Sequence, residues 1–316
     1  MRKVFRISRE IQDSSPVHVV HISDGIHTGR GECGELRHYG ESQASIEAQF
    51  DTMREKLNQC DTPARLNTVF AAGSARNAVD CALWDLACKR AGQSIWQLTG
   101  VARQAKLDID FTIGIDDIDD MCRSASSLAG AGYQELKIKV DAGRVLENVT
   151  DIARAAPGVR LIVDANEAWS LAQLKALVAP LRDLGVVMIE QPLHRDDDHQ
   201  LAGFDSPIPL YADESCATSA DLERLSQRYN GINIKLDKCG GLTEALKMVK
   251  GAREHNMGVM IGCAGGTSLG LAPAYVVGTL CNFRDLDSAG LHFDDRTAGM
   301  AYQNGSIHCF TPTLWG

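Results

Sequence analysis

The sequence has no run of about 18 apolar residues, the length a membrane-crossing helix needs, and no apolar stretch of signal-peptide length follows Met1-Arg2-Lys3-Val4-Phe5-Arg6. A cytoplasmic protein without a membrane partner is expected. The cysteines at 33, 60, 81, 88, 122, 216, 239, 263, 281 and 309 form no CxxC pair and no short Cys/His cluster, which argues against a disulfide framework and a zinc site. Buried free thiols are the expectation for most of them. Positive charge is in deficit: 32 Lys and Arg stand against 41 Asp and Glu, a net charge of −9. Such a surface repels phosphate backbones, so nucleic acid is not expected as a partner. The GxGxxG at Gly29–Gly34 falls inside a strand-like segment and opens no helix, no P-loop is present, and there is no nucleophile elbow or bridging His cluster, so nucleotide-binding and hydrolytic chemistry lack their usual signatures.

What is present is an ordinary globular balance, 44% apolar and 23% charged over 316 residues, enough for one large α/β barrel plus a smaller domain. β-rich segments begin near Leu107, Glu135, Arg160, Val186, Pro209, Gly231, Gly258 and Asn282, about 25 residues apart. Helical spacing fills the intervals. Ser170-Leu171-Ala172-Gln173 reads as a capping box opening a helix striped by Leu171, Leu174, Leu177, Val178 and Leu181, with Gly185 as its stop. Thr218 opens another, with Leu222, Leu225 and Tyr229 as its stripe. Strands alternating with helices imply a parallel sheet, and eight such units fit a closed barrel over residues 101–295. Residues 1–100 read as an α+β domain: strands at Val17–Ile22 and around Gly29–Cys33, then helices from Ser42 to about Gly92, the last with Ala75, Val79, Ala82, Leu83 and Leu86 on its apolar face. The tail, 296–316, lacks periodicity and is expected to pack back on that first domain.

In a parallel barrel, chemistry sits at the C-terminal ends of the strands. The second segment ends Lys137-Ile138-Lys139, the third Asp164-Ala165-Asn166, the fourth Glu190-Gln191-Pro192 and the fifth Asp213-Glu214-Ser215; the sixth carries Lys235 and the eighth ends Asp285-Leu286-Asp287. Carboxylates on three successive strand ends converge on one mouth and raise one another's pKa unless a cation joins them. A hard divalent ion with a preference for oxygen, Mg²⁺, resolves that conflict and leaves positions for substrate oxygens. Lys137 and Lys139 lie to one side of this row and Lys235 to the other, the layout for taking a proton from one face of an α-carbon and returning one to the other. The base must be a neutral amine, and Lys137 together with the metal is expected to depress the pKa of Lys139. Asn166 and Glu214 are expected as supports of the ligands. His38, His194 and His199 are expected as surface residues without partners.

These residues, with GRGECGE at 29–35, ARNAVDCALWDLACKR at 75–90, LKIKVD, IVDANEAW, IEQPL, ADES and NIKLDKCGGLTEAL, together resemble the enolase superfamily, and the lysine arrangement resembles its muconate-lactonizing-enzyme subgroup. The resemblance implies an α+β capping domain closing a (β/α)7β TIM-like barrel. It implies Asp164, Glu190 and Asp213 as ligands of Mg²⁺, Lys139 and Lys235 as the acid/base pair, and Lys137 as their modulating neighbour. Asp285-Leu286-Asp287 resembles the Asp-x-Asp with which dipeptide epimerases hold the α-ammonium of an L-Xaa-Xaa dipeptide. GRGECGELRHYGES and NIKLDKCGGLTEAL are most similar to segments of bacterial L-Ala-D/L-Glu epimerases. The implied activity is 1,1-proton transfer at the α-carbon of the C-terminal residue of a dipeptide. The same-fold alternatives are N-acylamino-acid racemase, o-succinylbenzoate synthase and muconate cycloisomerase, and a further alternative is a non-catalytic or interaction protein.

Two departures bear on the substrate. Phe5-Arg6-Ile7-Ser8-Arg9 resembles the capping loop that normally follows a first strand, yet begins almost at Met1, so that strand is expected to be shortened or missing. Its partner strand then has an open edge that a neighbouring subunit of a homo-oligomer can cover. Arg9 resembles a substrate-binding position of the loop, but where Ala-Glu epimerases carry an arginine shortly after it this chain has Gln12, which weakens the case for a glutamate side chain. Cys263, in the small and Gly-rich Gly262–Thr267 segment, is the remaining candidate for substrate contact.

Overall fold

The computed structural model describes residues 5–6, 11–12, 15–291 and 295–316. At the N-terminal end β1 (Phe5–Arg6) pairs antiparallel with β2 (Ile11–Gln12). β3 (Val17–Ser23) and β4 (Thr28–Gly34) then form a hairpin in continuous register from Val17↔Gly34 to Ser23↔Thr28. Among the described residues this cap sheet has two strands, so the far edge of β3 pairs with none. Three helices follow: α1 (Gln43–Lys56), opened by a Ser42 capping box, α2 (Pro63–Val69), with Pro at its first turn, and α3 (Ser74–Ala91).

α3 is buried on nearly every side because it is clamped between the cap sheet and the barrel. Its sheet-facing side is built from Ala75, Ala78 and Ala82, small enough for backbone to touch backbone. A methyl group on Gly31 of β4 would stand 2.0 Å from the Ala78 carbonyl oxygen, so only glycine permits this approach. On the barrel side, the Arg76 guanidinium donates to the carbonyls of Cys239 and Gly240, Asp80 accepts from the Thr243 N–H (3.1 Å) and hydroxyl (2.7 Å), and Asn77 donates to Asp237 at 2.9 Å. The cap is thereby bolted to the turn that follows Lys235.

α4 (Ile95–Thr99) leads to β5 (Lys106–Asp108) and the barrel. The barrel strands are β6 (Phe111–Ile113), β7 (Glu135–Lys139), β8 (Arg160–Asp164), β9 (Val186–Glu190), β10 (Leu210–Ala212), β11 (Gly231–Lys235), β12 (Gly258–Gly262) and β13 (Phe283–Arg284). They lie in sequence order, all parallel, and the Asp110 N–H donates to the Arg284 carbonyl (3.0 Å) where the last strand meets the first. The helices around them are α5 (Ile118–Gly130), α6 (Val145–Ala155), α7 (Leu171–Asp183), α8 (Leu222–Leu225), α9 (Leu236–Cys239), α10 (Leu242–Glu254) and α11 (Ser268–Gly278). The eight-strand TIM-like barrel of the expected fold class is present. α7 has its Ser170/Gln173 capping box and buries Leu174, Val178 and Leu181, worth about 1.5–3 kcal/mol each relative to exposure. The floor of the barrel is filled by Ile162, Met188, Tyr211 and Met260.

Three expectations are corrected. The segment from Leu107 is two strands: β5 turns away from the barrel and pairs with β15 (Ser306–His308), itself paired with β14 (Tyr302–Gln303). Both stretches of that segment alternate in the same way, so periodicity could not show that they serve different sheets. The helix read from Thr218 to Tyr229 is a 3₁₀ turn (Ser219–Asp221) followed by the single turn α8; Leu222, Leu225 and Tyr229 are buried as their spacing implied, but on a tighter path. The tail is not aperiodic, since it contributes β14 and β15. Its end lies on α3, where the Trp315 indole donates to the Cys81 carbonyl (3.1 Å) and the Gly316 N–H to Asp85 (2.9 Å). Among the described residues, no helix is long and apolar enough to cross a membrane, and the ten cysteines are free thiols.

Candidate active site at the barrel mouth

The parallel register sets Lys139, Asp164 and Glu190 side by side on β7, β8 and β9. Asp213 follows one residue beyond β10, and Lys235 closes β11. Asp164, Glu190 and Asp213 are fully or almost fully buried. Lys139 Nζ lies 2.6 Å from Asp164 Oδ2 at one end of the row, and Lys235 Nζ 2.8 Å from Asp213 Oδ2 at the other. Lys137, buried below the mouth, reaches Asp164 Oδ2 (3.1 Å), Glu190 Oε2 (2.8 Å) and Asp285 Oδ2 (2.8 Å).

The field at this row is strongly uneven. Burial alone would raise the Asp164 carboxyl, but Lys139 and Lys137 overcome it and hold the group at about 2. Burial is likewise outweighed at Asp213, where Lys235 and Lys238 keep the carboxylate well below its ordinary range. Glu190 goes the other way: burial, then the charge of Asp164, push it up to about 7. Burial opposes protonation of Lys137 and Lys235, yet the surrounding carboxylates win and raise both amines. These lysines therefore sit in a net acidic field rather than a cationic one. Glu190 Oε2 is buried and accepts no hydrogen bond, although Lys137 is close, because the ammonium is off hydrogen-bonding geometry. Converging buried carboxylates with such an unsatisfied oxygen fit a hard divalent cation.

Asp285 and Asp287, beyond β13, face the first barrel strand. The Thr112 N–H donates to Asp287 Oδ2 (2.8 Å) and the Thr112 hydroxyl to Asp285 Oδ1 (3.3 Å). Burial and the charge of Asp285 push Asp287 up to about 7, whereas Lys137 overcomes burial at Asp285 and lowers it. Cys263 is half-buried, its Sγ 4.0 Å from Asp287 Oδ1. Arg9 and the side chain of Gln12 lie outside the described residues.

Several residues here were not singled out in the sequence. Lys238, one helical turn after Lys235, is buried and donates to Asp213 Oδ1 and to the Asp213 and Asn233 carbonyls. Asn233 donates to Glu190 Oε1 (2.7 Å). Gln191 is wholly buried: the two N–H groups of its amide are shared among the Leu193 carbonyl, the Ser215 hydroxyl and the Tyr229 hydroxyl, and its oxygen accepts the N–H groups of Asp213 and Ser215. Asn166 (φ 43°), Glu167 (φ 68°) and Gln191 (φ 35°) are left-handed although none is glycine, a backbone state that costs about 1–3 kcal/mol per residue and persists only where its surroundings fix it. The Asn166 N–H donates to Asp164 Oδ1 (2.9 Å), and its amide to Glu214 Oε1 (3.2 Å).

At the rim, Glu167 accepts the backbone N–H and the Nε–H of Arg195, both at 2.9 Å. His38 is not the partnerless surface residue expected: its Nε2 lies 3.2 Å from Glu167 Oε2 and beside Arg195. His194 and His199 likewise have neighbours, both contacting Asp196. Tyr39 lies under the Arg195 guanidinium, 4.9 Å from ring centre to carbon, and donates to the Glu214 carbonyl (3.4 Å). Glu167 and Arg195 are marked in the sequence only by lying a few residues after a strand-end carboxylate, and nothing in the sequence places His38 or Tyr39 beside them.

Residues 120–312 match the family model described as enolase C-terminal domain-like, and residues 1–100 that of the mandelate racemase / muconate lactonizing enzyme N-terminal domain. The chain is 40% identical over 304 residues to the L-Ala-D/L-Glu epimerase of Escherichia coli K12, covering 96% of this chain and 95% of that one. It superposes with TM-score 0.95 and 38% identity on an Agrobacterium tumefaciens enolase family member with homology to dipeptide epimerases, solved with sodium and L-Ala-L-Glu, over 99% of this chain and 95% of that one. A Cytophaga hutchinsonii dipeptide epimerase, solved with Mg and D-Ala-L-Val, superposes with TM-score 0.90 at 26% identity, over 97% and 89% of the two chains. With both family models matching and the barrel and cap superposing over almost their whole length, this chain belongs to the mandelate racemase / muconate lactonizing enzyme branch of the enolase superfamily.

Proposed function

We propose that the protein is a Mg²⁺-dependent dipeptide epimerase that inverts the α-carbon of the C-terminal residue. The observation that carries this reading is the placement of two amines at opposite ends of one carboxylate row, Lys139 on Asp164 and Lys235 on Asp213. Asp164, Glu190 and Asp213 would hold the ion, which supplies the positive charge that stabilises electrons left when an α-proton departs. Lys139 exchanges a proton with one face of the α-carbon and Lys235 with the other. Lys137 links two of the ligands to Asp285 and tunes the charge between them. Asp285 and Asp287 receive the α-ammonium of the first residue, which a carboxylate pair binds by charge-assisted hydrogen bonds. Arg9, Gln12 and Cys263 are assigned to the environment of the substrate side chains, and Asn166 and Glu214 to the support of the ligands. An L-Ala-D/L-Glu activity like that of the E. coli relative is the first substrate to assay. Buried free thiols suit the reducing cytoplasm, where we assign the enzyme.

Incubation of the purified protein with Mg²⁺ and a panel of L,L-dipeptides in D₂O tests this reading by NMR or mass spectrometry. Deuterium should enter only the C-terminal α-carbon, with the L,D product appearing alongside. No exchange with any dipeptide would remove the assignment and leave the other same-fold activities and the non-catalytic reading.

A further inference from the structure

We infer that Glu167 and Arg195 are positioning residues through which the cap sets the affinity of the carboxylate row for its cation. This rests on the reading above only in taking Asp164, Glu190 and Asp213 as the ligands. A continuous hydrogen-bonded belt ties the ends of the three strands. The Asn166 N–H holds Asp164 Oδ1 at 2.9 Å, leaving Oδ2 to face the amines. The next N–H, that of Glu167, donates to the Gln191 carbonyl at 2.9 Å. The Gln191 side-chain oxygen then accepts the Asp213 N–H at 2.9 Å. The belt passes through three left-handed residues, 166, 167 and 191, so its geometry is not one the backbone adopts unaided. Gln191 is fixed by its own buried bonds. The turn at 166–167 is held from the rim instead, by the bonds of the Glu167 carboxylate to the Arg195 backbone N–H and Nε–H.

The rim contacts come from the cap. Tyr39 stacks under Arg195 and bonds to the carbonyl of Glu214, the residue after Asp213. His38 stands against Glu167. Residues 38 and 39 therefore touch the loops that follow all three ligands, Asp164, Glu190 and Asp213. Seating the cap tightens the turn, and the turn aims the carboxylate. Partners that orient ligands in this way typically contribute about 10–100-fold to metal affinity.

The test is binding of Mn²⁺, a hard divalent probe, by electron paramagnetic resonance without dipeptide, beside thermal melting of the same samples. Glu167→Ala and Arg195→Ala should each weaken Mn²⁺ binding about 10-fold or more. Tyr39→Ala should weaken it less, since it acts one contact further out. Glu167→Gln, which keeps an acceptor for the two Arg195 donors, should recover most of the loss. Arg195 is partly exposed, so its variants keep the fold readable if Glu167→Ala does not fold. A general loss of stability would lower the melting temperature without following this ranking. Wild-type affinity in folded Glu167→Ala and Arg195→Ala or, where Glu167→Ala does not fold, in both Arg195→Ala and Tyr39→Ala, overturns the inference alone. Failure of the wild-type chain to bind Mn²⁺ overturns it together with the ligand assignment.

Discussion

The barrel mouth and the cap sheet are built on opposite principles. At the mouth, the strands carrying Lys139, Asp164, Glu190, Asp213 and Lys235 each have hydrogen-bonded neighbours on both sides, and the carboxylates are held from above, below and the side. In the cap, β3 is bonded along one edge among the described residues, with Val19 38% exposed, and the groove between it and α1 is a space of about 310 Å³ lined by Val20, Ile22, Phe50 and Leu57 together with His18, His21 and Arg54. Groups that must stay within tenths of an ångström sit where neighbours over-determine them. The sheet that merely covers them is fixed on one face and tolerates an open edge. A barrel has no edges to protect; a two-stranded sheet has two.

The largest test of the mouth is removal of either amine. Lys139→Ala and Lys235→Ala should each lower epimerisation by about 10³-fold or more, at or above the upper part of the range for a general acid or base. One variant should still exchange the α-proton of a single epimer, because the remaining lysine serves its own face. Full turnover in both variants would end the two-base scheme. The double change Asp285→Ala with Asp287→Ala comes next. Losing a buried carboxylate pair proposed to receive an ammonium should cut kcat/KM for dipeptides by about 10²–10³-fold, while N-acylated amino acids, which have no ammonium, lose little. Equal loss for both substrate types would favour a structural role for the pair and reopen the N-acylamino-acid racemase reading.

Much of the mouth could be read in the sequence because a strand end is a sharp signal: an apolar run stops, and the residue that stops it faces the site. Asp164, Glu190, Asp213 and Lys235 all announce themselves in this way. Gln191 does not, although it has more hydrogen-bond partners than any of them, since a glutamine between a glutamate and a proline looks like the start of a turn. Lys238 gives no separate signal, because its neighbour Lys235 already accounts for the motif. Contacts between distant segments leave no periodic trace at all. His38 and Tyr39 meet Glu167 and Arg195 across some 130 to 160 positions of chain, and β5 finds its partner about 200 residues later. The cap is legible where packing imposes a pattern, as in the alanine face of α3, and obscure at the far edge of β3, where no described strand pairs.

Within the cap sheet the two faces of the same hairpin should respond very differently. Gly31→Ala drives a methyl group to within 2.0 Å of the Ala78 carbonyl oxygen, a backbone atom that cannot swing aside. Either β4 or α3 must move, at about 3 kcal/mol, the top of the usual range for overpacking. A fall in melting temperature of about 4–5 °C is expected, with kcat reduced in proportion to any tilt of α3, because α3 carries the Arg76 and Asp80 contacts to the turn after Lys235. An unchanged melting temperature would mean that the sheet floats on α3 rather than being locked to it.

Val19→Lys is the mildest change and the sharpest test of the open edge. Its side chain is more than a third exposed, and β3 carries neither the lysine nor the proline that commonly guards such an edge. If solvent covers this strand, replacing one partly exposed apolar group with a charged one whose stem can lie along the surface should alter stability by no more than about 0.5 kcal/mol and leave turnover unchanged. If another strand covers it, the ammonium is forced into an apolar seam and the melting temperature must fall by several times that equivalent. Sedimentation of the two proteins at matched concentrations then separates the sources of such a fall. A drop in mass locates the covering strand in a second copy, whereas an unchanged monomer places it within the same chain.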